Sequence, residues 1–217
     1  MPLIQKLRLQ SNTSPIGIIT DSHGNVSLLK KAIDLLIEKT CTTIIHLGDI
    51  CDSAHIHTAD DCIEIIQKNN IMAIKGNNDH ALTVSHDPQI SKPTLDYIQS
   101  LPLVIQNHHL TFTHSLPFVE QLGLSCMIRD LNDDFCNLYF DTVDSQSILF
   151  RGHSHQPEMI VKNKYGWVRK MLHYSNQMKI ACTTPCVVTC GAVMNYYCMM
   201  YCPGPKSFFQ PIEVIKE

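Results

Sequence analysis

No run of about 18 or more apolar residues occurs in this 217-residue chain, and the stretch from Met1 to Ser14 has no long apolar core of the kind that marks a secretory leader. Both absences predict a cytoplasmic protein with no membrane partner. A basic patch is missing as well. The 17 Lys and Arg against 20 Asp and Glu leave a net charge of -3, so no field favours nucleic acid or an acidic membrane surface. Internal repeats and low-complexity segments are absent, and so is the close C-x₂-C pairing preferred by zinc and iron–sulfur sites. With no export signal, the 10 cysteines are expected to be reduced thiols rather than a disulfide framework. Cys182, Cys186 and Cys190 recur every four residues, but Pro185 breaks any helix that would align them, so they are expected to be buried strand thiols.

What is present is a core and a set of polar strand ends. Apolar residues make up 44% of the chain, enough for one domain over residues 1–217. The apolar run Ile16-Gly17-Ile18-Ile19-Thr20 leads into Asp21-Ser22-His23-Gly24-Asn25, a strand followed by a tight turn into a helix. The same arrangement recurs as Ile44-Ile45-His46-Leu47-Gly48-Asp49 and as Ile71-Met72-Ala73-Ile74-Lys75-Gly76-Asn77-Asn78-Asp79. It returns as Leu110-Thr111-Phe112-Thr113-His114 and as Ile148-Leu149-Phe150-Arg151-Gly152-His153-Ser154-His155. Five apolar strands thus end in carboxylates, an amide and imidazoles, at the strand ends where open α/β sheets bind ligands.

Between them, Ser27 to Lys39 and Ala59 to Lys68 carry helical periodicity, and Asn69-Asn70 stops the second helix. A βαβαβ start predicts parallel pairing and places Asp21, Asp49 and Asn77 at one end of a sheet. The stretch from His80 to Lys92 is polar and loop-like, Thr94 to Ser100 is a short helix, and a hairpin around Asn107-His108-His109 makes the sheet mixed. Phe118 to Asp144 is expected to form one or two helices over the mouth of the site. The short stretches after Arg151 predict an antiparallel second sheet, with Pro203-Gly204-Pro205 as a final turn. Residues 1–13, with Leu3, Ile4, Leu7 and Leu9, fit an edge strand, a helical turn or a frayed lead equally well.

In order, the elements D-x-H, G-D, G-N-x-D, a lone His and G-H-x-H resemble the calcineurin-like metallophosphoesterase superfamily, and most closely its small bacterial and archaeal phosphodiesterase branch. The resemblance spans about residues 16–157. It implies a four-layer α-β-β-α sandwich with two packed mixed sheets. It also implies two divalent cations, Mn²⁺ first and Fe, Zn²⁺ or Ni²⁺ as alternatives, since imidazole and carboxylate oxygen suit these better than Ca²⁺. By motif, Asp21, His23, Asp49 and His155 hold one cation and Asp49, Asn77, His114 and His153 the other, with Asp49 bridging. A metal-bridging hydroxide is then the nucleophile, and the net charge of about +1 left at the centre attracts a phosphate ester.

Asp49, Asn78 and Asp79 are the candidate catalytic residues. Many members of the family carry His where this chain has Asn78, and an amide donates no proton to a leaving group. His80 is the alternative acid. The family's Asn-Pro-Gly-Ser has its nearest counterpart here in Thr189-Cys190-Gly191-Ala192, which supplies no ligand. His55-Ile56-His57 lies in a polar loop without a third ligand and is expected to be surface.

The expected function is hydrolysis of a small or nucleotide-like phosphate ester, most readily a diester. Phosphomonoesterase, protein phosphatase and a non-catalytic scaffold of the same fold are the alternatives, and self-association into a homo-oligomer stays open.

Overall fold

A computed structural model describes residues 3–6, 14–174, 177–180 and 184–215. Leu7, Leu9 and Cys182 lie outside the described residues.

One sheet is built on β2 (Ile16–Ile19), β3 (Thr43–His46) and β4 (Met72–Ala73), which run parallel as the alternation of strand and helix predicts. The helices α1 (Val26–Glu38) and α2 (Ala59–Lys68) form the crossovers. Leu29, Ile33 and Leu36 of α1 and Ile63 and Ile66 of α2 pack with Ile19 and Ile44 on the outer face of this sheet. Gly17 permits the approach: a Cβ there would meet Leu36 Cδ1 at 2.8 Å. The strands β10 (Met178–Lys179), β12 (Tyr197–Cys202) and β13 (Phe208–Glu213) complete the order β10-β13-β12-β2-β3-β4.

The second sheet has the order β1-β5-β6-β7-β11-β8-β9. Its strands are β1 (Ile4–Lys6), β5 (Val104–Asn107), β6 (Leu110–Thr113), β7 (Ile148–Arg151), β8 (Glu158–Asn163), β9 (Gly166–Met171) and β11 (Cys186–Thr189). Ile16, Ile18, Ile45 and Leu47 of the first sheet face Phe112, Phe150, Met159 and Val188 of the second, forming the inner core. On the far side α5 (Val119–Leu122) and α6 (Asp133–Thr142) bury Val119, Cys136, Tyr139 and Phe140 in one cluster with Leu149, Ile160 and Val187. Helices, sheet, sheet and helices thus make the expected four layers.

Three local expectations are corrected. The C-terminal strands do not form a sheet of their own: β8, β9 and β11 join the sheet of β5 to β7, whereas β10, β12 and β13 join that of β2 to β4. The hairpin of β5 and β6 belongs to the second sheet, with β1 pairing parallel to β5. The stretch from His80 to Lys92 is a loop only over residues 86–91, since α3 covers Asn77–Ser85 and α4 covers Lys92–Ser100. Only Asp79 and Leu82 of α3 are buried, so no apolar stripe marks it in the sequence.

Candidate metal centre

The residues after β2, β3, β4, β6 and β7 meet at one edge of the sandwich, where the two sheets adjoin. Backbone bonds align the first two loops: Asp21 N donates to Gly48 O at 3.0 Å and His23 N to Asp49 O at 3.0 Å. Two further bonds cross from one sheet to the other. His153 N donates to Asp21 Oδ2 at 3.0 Å, and His114 Nδ1 donates to Leu47 O at 2.8 Å. Asp21, His23, Asp49, His153 and His155 all hold φ between 47° and 69°. Left-handed backbone costs a non-glycine residue about 1–3 kcal/mol, and its concentration here is the signature of a site held in place by its surroundings.

Two groups of donor atoms result. In one, Asn77 Oδ1 lies 3.0 Å from His114 Nε2 and 3.0 Å from His153 Nδ1, and those two nitrogens are 3.3 Å apart. In the other, Asp21 Oδ1 lies 3.4 Å from His155 Nε2 and 3.9 Å from His23 Nε2, with the two imidazole nitrogens 3.1 Å apart. Asp49 Oδ2 stands between the groups, 3.4 Å from His114 Nε2 and 3.8 Å from His23 Nε2. All seven expected ligand residues are therefore brought together.

The site demands positive charge. Asp21 is fully buried; Thr20 Oγ1 at 2.7 Å and His153 N occupy its Oδ2, while its Oδ1 has no hydrogen-bond partner. Such an orphaned carboxylate oxygen is costly unless a cation faces it. A proton meets the same demand: burial lowers the His114 pKa, but the Asp49 carboxylate outweighs burial and raises it to about 9. Burial would raise Asp49, yet His114 and the Asn78 donors hold it well below the ordinary carboxylate range. Likewise burial works against the Asp21 charge, and His155 and His114 overcome it. The donor atoms of Asp21, His23 and His155, and separately of Asp21, Asp49 and His114, lie within 4.8 Å of one another. Imidazole nitrogen with carboxylate oxygen in this density fits divalent transition-metal ions.

Asn78 and Asp79 both bond to the loop after β3. The Asn78 backbone N and Nδ2 donate to Asp49 Oδ1 and Oδ2 at 2.8 and 2.7 Å, so its amide engages Asp49 rather than standing free for a phosphate oxygen. Asp79 is fully buried and accepts from Cys51 N and Gly76 N, both at 3.0 Å. It ties the loop after β3 to the start of α3. His80 Nδ1 is buried without a hydrogen-bond partner, and burial and then Lys75 lower its pKa. Of the segment expected over the mouth, Asp130 reaches the site, with Oδ1 3.6 Å from His153 Nε2; α6 packs on the sheet behind.

Two contributors escaped the motif. Thr20 orients Asp21, and Asp52 Oδ2 lies 2.7 Å from His23 Nδ1. The signal for Asp52 was its place three residues after Asp49, which only the turn Ser53–Thr58 makes meaningful. His55 and His57 lie on that turn and are exposed, and among the described residues neither joins a group of three that could hold a metal ion. The nine described cysteines are free, and Cys51 is buried with its thiol pKa pushed up by burial and by Asp79.

Known proteins share the fold. An uncharacterized protein of Methanocaldococcus jannaschii is 25% identical over 163 residues, 66% of this chain and 63% of the relative, so the chain spans under two thirds of that protein's length. Among solved structures, a metallophosphoesterase from Sphaerobacter thermophilus superposes with a TM-score of 0.72 at 20% identity, over 93% of this chain and 88% of that one. A candidate diadenosine tetraphosphatase gives 0.62 at 12% identity, over 99% of each chain. At these identities the structures speak to the fold. Residues 15–174 match the calcineurin-like phosphoesterase superfamily domain, and the chain belongs to that superfamily.

Proposed function

We propose that the protein is a divalent-metal-dependent phosphoesterase acting on phosphate diesters, with Asp21, His23, Asp49 and His155 holding one cation and Asp49, Asn77, His114 and His153 the other. The observation that carries this is Asp49 Oδ2 standing between the two donor groups while Asp21 Oδ1 is buried without a hydrogen-bond donor. When bound, such a pair of cations supplies Lewis acidity and a water acidic enough to attack phosphorus near neutral pH.

The chain's own residues do the positioning. Leu47 O and Asp52 hold the Nδ1 protons of His114 and His23, leaving each Nε2 lone pair facing inward. Asn78 fixes both oxygens of Asp49 and presents no ionisable proton to a leaving group, which favours esters whose leaving group needs none. Mn²⁺ is the proposed occupant, ahead of Fe, Zn²⁺ and Ni²⁺. The buried free thiols support a reducing, cytoplasmic setting; among the described residues no helix is long and apolar enough to cross a membrane.

The test is hydrolysis of bis(p-nitrophenyl) phosphate against p-nitrophenyl phosphate by metal-stripped protein reloaded with Mn²⁺, Ni²⁺, Zn²⁺ or Mg²⁺. Turnover of the diester that exceeds the monoester and disappears in Asp49→Asn is expected. Turnover of neither under any metal would leave a scaffold.

A further inference from the structure

The loop after β2 and the 3₁₀ turn Ser53–Thr58 enclose a cleft of about 370 Å³ that opens beside His23. Asn25, His55, Thr58 and Met194 line it together with Asp52. We propose that this cleft is the subsite for the organic group of the ester, and that it takes an uncharged planar group of the nucleoside type. The inference rests on the two-cation reading only for where the phosphate lies.

The walls are built rather than incidental. Thr58 Oγ1 lies 2.8 Å from Gly24 O and 2.7 Å from His55 O, tying the turn to the loop. Gly24, at φ 75°, allows that contact: a Cβ would come within 2.7 Å of Thr58 Oγ1 and 2.8 Å of His55 Cβ. Asp52 Oδ1 accepts from Ala54 N at 2.8 Å while Oδ2 holds His23, so one carboxylate fixes both the cleft wall and a proposed ligand. The remaining wall is pinned from the other side. Val193 N donates to Thr20 O at 2.9 Å and Met194 N to Asp21 O at 3.2 Å.

Met194 is 40% exposed, an apolar side chain left in water at the rim of a polar site. A thioether packs well on an aromatic ring, and an imidazole stacks on one, so Met194 and His55 supply surfaces for a planar group. Asn25 Oδ1 accepts from Leu28 N at 3.0 Å, which turns its amide nitrogen into the donor that remains for a ligand. None of the described residues lining the cleft is Lys or Arg, and Asp52 is acidic, so a second phosphate would find no counter-charge there. The volume is near the small end of the roughly 300–1,000 Å³ range of ligand pockets, which fits one nucleoside-sized group.

The experiment uses protein labelled with ¹³C at the methionine methyls, with the Met194 resonance assigned through Met194→Leu. Adenosine and inorganic phosphate are titrated separately into metal-free and Zn²⁺-reloaded protein. Adenosine is expected to shift the Met194 methyl in both, and His55→Ala to raise its half-saturation at least about fivefold, the equivalent of losing one stacking surface. An unmoved Met194 methyl, or an unchanged half-saturation in His55→Ala, overturns the proposal. Protein that binds phosphate with Zn²⁺ but ignores adenosine keeps the cation centre and loses the subsite. Protein that responds to adenosine but takes up neither Zn²⁺ nor phosphate keeps the subsite and loses the centre.

Discussion

Asp52 Oδ2 lies 2.7 Å from His23 Nδ1. A carboxylate only accepts, so the proton sits on Nδ1 and Nε2 is directed at Asp21 and His155. Because the other Asp52 oxygen caps the turn at Ala54, the carboxylate cannot swing away without loosening that turn. Partners of this kind are worth about 10–100-fold in metal affinity. Asp52→Ala is expected to weaken Zn²⁺ binding by about that factor, and Asp52→Asn by less, since an amide oxygen still accepts from Nδ1. Competition with a chromophoric chelator measures both; wild-type affinity in Asp52→Ala would remove Asp52 from the centre.

Gly76 allows the backbone after β4 to lie directly against Asp49. A Cβ there would overlap both Asp49 Oδ1 and the Asp49 backbone N, neither of which can yield as a flexible side chain would. Its φ of -91° is open to any residue, so the penalty of Gly76→Ala comes from overlap alone. We expect a loss at the upper end of the roughly 1–3 kcal/mol typical of overpacking, read by urea unfolding of metal-free protein, together with weakened metal binding. A variant as stable as the parent would show that the loop has room to shift.

How much of this was legible in the sequence follows from where the signals are local. The strands ending at Ile19, His46 and Ala73 and the crossover helices carry their own periodicity, and the polar residues beyond them stand in a fixed order, so the gathering of those residues and the parallel half of the fold could be read directly. The partition of β8 to β13 between two sheets could not. Strand alternation states which face is apolar, not which neighbour pairs, and Val187 and Tyr201 look alike in sequence although they end in different sheets. Helix α3 was missed because its buried residues are a carboxylate and one leucine. Thr20 and Asp52 act through other side chains, and ordinary polar residues beside a motif carry no mark of doing so.

Asn78 stands where many members of the superfamily place an acid, and it spends its amide on Asp49. General-acid help is typically worth about 10²–10⁴-fold, so its absence should appear as steep dependence on the leaving group. Wild-type protein is expected to hydrolyse aryl diesters far faster than alkyl diesters. Asn78→His should narrow that ratio, while Asn78→Ala should lower both rates and leave the ratio in place. If the histidine brings no gain on alkyl esters relative to aryl esters, the missing acid does not limit turnover.

His46 is fully buried behind the centre, and its tautomer is set by its neighbours. Gly48 N donates to Nδ1 at 3.2 Å, so the proton is on Nε2, which donates to Ser22 Oγ at 2.9 Å; the Ser22 hydroxyl passes on to Ile50 O at 3.1 Å. A second ring proton would point at the Gly48 N–H, and burial pushes the pKa down from 6.5 to about 3. Below 6.5 the unfolded chain takes up a proton that the folded chain refuses until about 3, so the stability owed to His46 is whole above 6.5 and declines as the pH falls. The decline is about 1.4 kcal/mol per pH unit within that window. The stability gap between wild type and His46→Asn, measured by urea unfolding with chelator present, should therefore narrow at that slope from about pH 6 to about pH 5. A gap that does not change with pH would mean that the buried ring accepts its second proton in the folded protein as readily as in the unfolded one.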